Sequence, residues 1–137
     1  MKKNAGVPAL LMLALCVPLA ASAADCDNFF GQHCLIDLPT GVHMSYFELG
    51  SRAGDPLILL HTDTTGAIEW AWTAAALLTL DPNLHVYAID QRGSGATDLP
   101  STQRCWSTPN LCITRAELAA DLLAFMDAKN KIGRAHV

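Results

Sequence analysis

The side chains able to do chemistry gather in two stretches, His61-Thr62-Asp63-Thr64-Thr65-Gly66 and Asp90-Gln91-Arg92-Gly93-Ser94-Gly95-Ala96-Thr97-Asp98. Ser94, set between two glycines, has the look of a nucleophile on a sharp turn. An elbow of the G-x-S-x-G kind needs glycine two residues to either side, however, and there Arg92 and Ala96 stand. No other serine in the chain has that setting either. A phosphate-cradling loop is excluded as well, because the G-x-G-x-x-G pattern begun at Gly93 fails at Asp98 and no lysine follows. Cys26, Cys34, Cys105 and Cys112 lack zinc spacing and have no histidine at ligand spacing beside them, so no metal is expected. His43 and His85 fall in strand-like segments and read as surface or satisfied core residues. His33 reads as exposed, and Met44, Met126 and the aromatic residues read as core.

The elements that must position these stretches follow from periodicity. Cys34 to Leu38 and His43 to Leu49 read as strands joined by the Pro39-Thr40-Gly41 turn, and Arg52-Ala53-Gly54-Asp55 is a second turn. Pro56 to Leu60 is a continuous apolar run, as in a strand covered on both faces. From Glu69 to Leu80 the residues Trp70, Ala74, Leu77 and Leu78 make one helical stripe, which Asp81-Pro82-Asn83 ends. His85 to Ile89 is the next strand. Thr114 then opens a second helix, with Glu117 at capping-box spacing and a stripe of Leu118, Leu122, Phe125 and Met126. The order is an antiparallel start followed by parallel strand-helix-strand-helix, an α/β class fold. Ligands of such sheets bind beyond the carboxyl ends of the strands, which are the loops after His61 and Asp90.

Composition bounds the function. A chain of 137 residues, 51% hydrophobic and 16% charged, suits one modest globular domain. Its net charge of -4, with no cluster of lysine and arginine, argues against a nucleic acid partner or an anionic lipid surface. Lys2 and Lys3, the apolar run Val7 to Ala21 and Ala21-Ser22-Ala23 read as a secretory signal over residues 1–23, so the protein is expected to be exported, periplasmic or extracellular. The apolar run is short and interrupted by Pro8 and Pro18, so no stable membrane span is expected once the signal is cleaved. Cleavage also removes Cys16. The even count left in an exported chain points to disulfides, with three connectivities open; the two local pairs, Cys26–Cys34 and Cys105–Cys112, are preferred over buried free thiols.

Leu57-Ile58-Leu59-Leu60-His61, Trp70 and the Asp90–Asp98 turn resemble, in the same order, the strand, oxyanion loop and D-x-R-G-x-G-x-S-D turn of the α/β-hydrolase superfamily. The likeness runs from about Asp37 to Asp127. It implies the N-terminal part of that fold over residues 24–137, ending before the nucleophile elbow. It also implies half of an oxyanion hole from the amides of Thr62 and Asp63, with His61 bracing their loop and Asp90 and Arg92 holding the turn. Thr62 stands where many relatives have glycine, and Asp63 would set a negative charge beside a developing oxyanion. A polar capping loop for the helix at Glu69 is the other reading of this segment. The resemblance implies hydrolysis of an ester or similar acyl bond of a small-molecule substrate by a Ser-His-Asp/Glu triad, with no cofactor. No triad member is present in the chain, which by itself is expected to be unstable and inactive. A non-catalytic binding protein on the same fold is the alternative. Residues 132–137 have two readings: native sequence running towards the elbow, or a translated sequencing adapter.

Overall fold

In a computed structural model of the chain, the structure describes residues 26–27, 32–100, 102–109 and 112–130. The signal expected over 1–23 and the two readings of 132–137 lie outside these residues, as does His136; the side chains of His33 and Cys26 also lie outside what is described. The strands are β1 (Cys26–Asp27), β2 (Gln32–Asp37), β3 (His43–Gly50), β4 (Asp55–Leu60) and β5 (Leu84–Ile89). A 3-10 turn, Ala67–Trp70, leads into α1 (Ala71–Leu80), and α2 (Thr102–Ser107) and α3 (Arg115–Ala128) follow β5.

The sheet runs β1-β2-β3-β5-β4. β1, β2, β3 and β5 pair antiparallel in turn, and among the described strands β4 and β5 are the parallel pair. The Pro39–Gly41 turn forms as expected. Gly41 takes a positive φ of 79° and donates its N–H to the carbonyl of Leu38 at 2.9 Å, a conformation that costs a residue with Cβ but not glycine.

Two apolar layers cover the sheet. On one face Met44, Tyr46, Ile58, Tyr87 and Ile89 pack against Ala124, Phe125 and Met126 of α3. On the other, Phe47 and Ala88 pack with Ala67 and Trp70 at the head of α1. The alternation of Tyr46 with Phe47 and of Tyr87 with Ala88 is the period of two that a strand imposes on its side chains. α3 begins with the expected capping box. Thr114 Oγ1 accepts from the Glu117 N–H at 3.3 Å, and the Glu117 carboxylate accepts from the Thr114 N–H at 2.9 Å.

Three points differ from the sequence reading. Pro56 to Leu60 packs into both layers, Ile58 and Leu60 on the α3 face and Leu59 on the other, but only Ile58 is fully buried, because β4 lies at the sheet edge with β5 as its one described neighbour. The α1 stripe faces the sheet but is half-buried except at Ala74, and the first turn of that helix is 3-10. The segment after Asp98, to which the sequence reading assigned no element, contains α2. A helix of six residues is far shorter than the roughly 12 to 15 needed to stand alone in water. The Cys105–Cys112 disulfide ties it to the stretch before α3. Cys34 is also disulfide-bonded, and across the β1–β2 ladder it lies directly opposite Cys26.

Candidate functional site

Because β4 and β5 are parallel and pair Leu60 with Ile89, the chains leaving them, His61 onward and Asp90 onward, emerge side by side. The two loops are then stitched together. The Gln91 N–H donates to His61 Nε2 at 2.9 Å, and the Gln91 side-chain amide donates to the His61 carbonyl at 2.7 Å. A backbone N–H can only donate, so Nε2 is an acceptor and Nδ1 carries the proton, which goes to the Thr62 carbonyl at 2.7 Å. His61 is 5% exposed, and both its nitrogens are used by the backbone. It holds the loop and has no lone pair left for a proton transfer.

The Thr62 N–H donates to Glu69 Oε1 at 3.3 Å, while the Thr62 carbonyl accepts from the Thr65 N–H at 3.2 Å. Of the two amides implied for an oxyanion hole, that of Thr62 therefore already faces a carboxylate. Asp63 is exposed and lines the cleft above the sheet.

Asp90 organises the second loop. It is 5% exposed, and its carboxylate accepts from the Ala67 N–H at 2.7 Å, Ser45 Oγ at 2.9 Å and the Ala96 N–H at 3.3 Å. Three segments, β3, the start of the 3-10 turn and the glycine turn, thus meet at one anion. Gly95 has φ +55°, and a Cβ there would fall 2.2 Å from that carboxylate, so the close wrap of the turn depends on glycine. Thr97 Oγ1 donates to the Asp90 carbonyl at 2.7 Å and accepts from the Ser45 N–H at 2.8 Å, which welds the end of the turn to β3.

Arg92 points the other way and makes a two-pronged ion pair with Asp121 of α3, with Nε to Oδ2 and Nη2 to Oδ1 both 2.9 Å. Asp121 is 1% exposed. The hydrogen bonds to Asp121 raise the already high pKa of the Arg92 guanidinium. Asp90 and Arg92 thus fix the turn from opposite sides, one to the α1 side and one to α3.

Between these loops and the start of α3 lies a cleft of about 420 Å³, lined by His61, Asp63, Gln91, Arg92, Ser94, Pro109, Cys112, Ile113, Arg115 and Leu118. Ser94 faces this space without a base: the cleft's histidine is fully engaged. His43 and His85 lie elsewhere, His43 in an exposed pair with Asp37 at 2.7 Å and His85 buried against Glu48 at 2.8 Å. Among the described residues no group of three or more His, Cys, Asp and Glu could hold a metal, and no helix is long and apolar enough to cross a membrane.

Several partners were not found from sequence: Asp121, Glu69, Ser45, Thr97 and Gln91. Asp121 had a signal, since a carboxylate lies between Leu118, Leu122 and Phe125 on the apolar stripe of α3. Ser45 and Gln91 are ordinary polar residues whose roles arise only when strands distant in sequence are paired, and Glu69 and Thr97 reach Thr62 and Asp90 through local loop geometry that the sequence pattern does not announce.

No family model matches the sequence. Solved structures do match it in part. A protein titled as a putative epoxide hydrolase from Klebsiella pneumoniae subsp. pneumoniae MGH 78578 superposes with a TM-score of 0.55 at 27% identity, over 72% of this chain and 30% of that one. The haloalkane dehalogenase DpaA from Paraglaciecola agarilytica NO2 gives a TM-score of 0.62 at 17% identity, over 75% and 33%. An esterase from Exiguobacterium antarcticum gives 0.55 at 20% identity, over 74% and 32%. The chain spans about a third of the length of these proteins, all of them α/β-hydrolase superfamily members. The chain carries the N-terminal part of the α/β-hydrolase fold.

Proposed function

We propose that this chain is a segment of an exported hydrolase that opens an ester or similar acyl bond of a small molecule, and that the 137 residues alone are inactive. The observation that carries the reading is the occupation of His61. Its two nitrogens are bound by the Gln91 N–H and the Thr62 carbonyl, so the cleft offers polar groups and backbone amides but no nucleophile paired with a base. Such a cleft supports binding and charge stabilisation, and the nucleophile, base and acid of a Ser-His-Asp/Glu triad must come from further sequence. The Thr62 and Asp63 amides remain the proposed oxyanion donors. For Thr62 this requires its N–H to turn from Glu69 towards the substrate.

A fluorophosphonate probe tests this on the full-length parent and on the chain side by side. Labelling of the parent with none of the chain is the expected result. Labelling of the chain, or ester hydrolysis by it, defeats the reading. A parent that resists the probe but opens epoxides or haloalkanes would move the nucleophile from serine to aspartate.

The second reading, a non-catalytic binding protein, is favoured by the Glu69 carboxylate on the Thr62 amide and by the Asp63 carboxylate lining the cleft, which has no ion pair among the described residues. It predicts tight ligand binding by the parent without labelling or turnover.

A further inference from the structure

Beside the polar cleft lies a second, apolar depression of about 290 Å³, lined by residues including Leu99, Pro100, Cys105, Trp106, Cys112 and Ile113. Trp106 is 86% exposed and Leu99 77% exposed, an unusual pairing of large apolar side chains on one small surface. Cys112 and Ile113 belong to both spaces, so a single wall separates groove from cleft. That wall is held on two sides. The Cys105–Cys112 disulfide fixes it to α2, and Ile113 Cδ1 rests against Gly93, 2.6 Å from where a Cβ would stand.

We propose that this groove is a subsite for the hydrophobic arm, alkyl or aromatic, of a molecule whose polar head occupies the cleft; the assignment rests on the acyl-bond reading above. Three observations select that occupant. The groove adjoins the cleft through a shared wall, so a single molecule can reach from one into the other. Among its described residues no side chain carries a charge, whereas the cleft presents Asp63, Ser94, Arg92 and Arg115. Its volume is at the lower limit of the roughly 300 to 1,000 Å³ of complete small-molecule sites, which suits part of a ligand better than a whole one. The substrate class becomes an acyl compound with a medium-length or aromatic substituent, and Trp106 and Leu99 become its specificity residues.

The test uses the full-length parent with its disulfides intact and unreactive ester analogues, the 2-alkanones from 2-butanone to 2-decanone, followed by NMR titration. Affinity should rise about fourfold per added methylene until the groove is filled. Trp106→Ala and Leu99→Ser remove exposed side chains, so the fold persists; each should flatten that dependence while leaving 2-butanone binding unchanged. If the dependence survives in both variants, the groove is not the subsite, and the acyl-bond reading stands without it. If no ketone of any length shifts the resonances of Ser94, Gln91 or Thr62, the acyl-bond reading falls and takes the subsite with it.

Discussion

Replacing Gly95 with alanine should damage the candidate site far more than the same replacement at Gly41, although both glycines have positive φ, +55° and +79°. At Gly41 a Cβ meets nothing within 4 Å, so Gly41→Ala adds only the backbone penalty of the left-handed region, about 1 to 2 kcal/mol. At Gly95 the same Cβ would lie 2.2 Å from Cγ and Oδ2 of Asp90 and must displace them. That carboxylate is buried and accepts from Ala67, Ser45 and Ala96. Losing even one hydrogen bond to a charged group adds about 1.5 to 3 kcal/mol, so Gly95→Ala should cost about 3 to 5 kcal/mol in all. With a urea slope of about 2 kcal/mol/M, the midpoints of the two variants should lie about 1 M apart. The assay is urea unfolding followed by far-UV circular dichroism, in trimethylamine oxide so that a marginal starting stability stays measurable. Equal midpoints would refute the claim that close packing on Asp90, rather than φ alone, is what requires glycine.

Three further outcomes are expected. Arg92→Leu should cost about 3 to 5 kcal/mol because it strands Asp121, which is 1% exposed, whereas Asp121→Leu should cost less because Arg92 is partly exposed, and the double leucine variant should return close to the starting stability. Additive losses in that cycle would show that the pair is not coupled. Tyr46 and Tyr87 are the only tyrosines of the chain, and burial, followed by the negative charge of Glu48, raises both phenols, Tyr87 to about 12 and Tyr46 further. The folded state therefore holds phenolic protons that the unfolded state releases near pH 10, so this stabilisation is complete below about pH 10 and declines as pH rises towards about 12. Absorbance at about 295 nm should show no phenolate step near pH 10 while the chain is native, and half the signal titrating there would overturn the assignment. Glu69→Ala should speed hydrogen exchange at the Thr62 amide about fivefold, for a hydrogen bond worth about 1 kcal/mol, and leave the Gln91 amide, held by His61, unchanged.

The parts of the fold read correctly from sequence are those set by local chemistry. The Pro39–Gly41 turn and the Thr114–Glu117 capping box each depend on residues within a few positions of one another. What could not be read depends on pairing at long range. Nothing within Pro56–Leu60 tells a strand with two neighbours from one at a sheet edge, because an apolar run is compatible with both; only the order β3-β5-β4 decides it. α2 was missed for the opposite reason. Six residues give too little periodicity to register, and a disulfide supplies the constraint that sequence propensity does not.

The candidate site divides along the same line. His61 and Asp90 stand out because each follows a strand, and the carboxyl ends of parallel strands are where loops converge. Their partners could not be found that way. Ser45 lies 45 residues from Asp90 and Arg92 lies 29 from Asp121, yet each pair is in direct hydrogen-bonded contact. The turn is rigid because its anchors come from different layers: Asp90 fastens it to the Ala67 side of the sheet, and Arg92 fastens it to α3 on the other. On the proposed reading, a ligand entering the cleft meets Ser94 and Gln91 on a turn held from both faces, so its specificity would come from what lines the cleft rather than from rearrangement of the turn. The cleft's exposed parts are on its rim, at the Thr62 amide shared with Glu69 and at the side chains of Asp63 and Arg115.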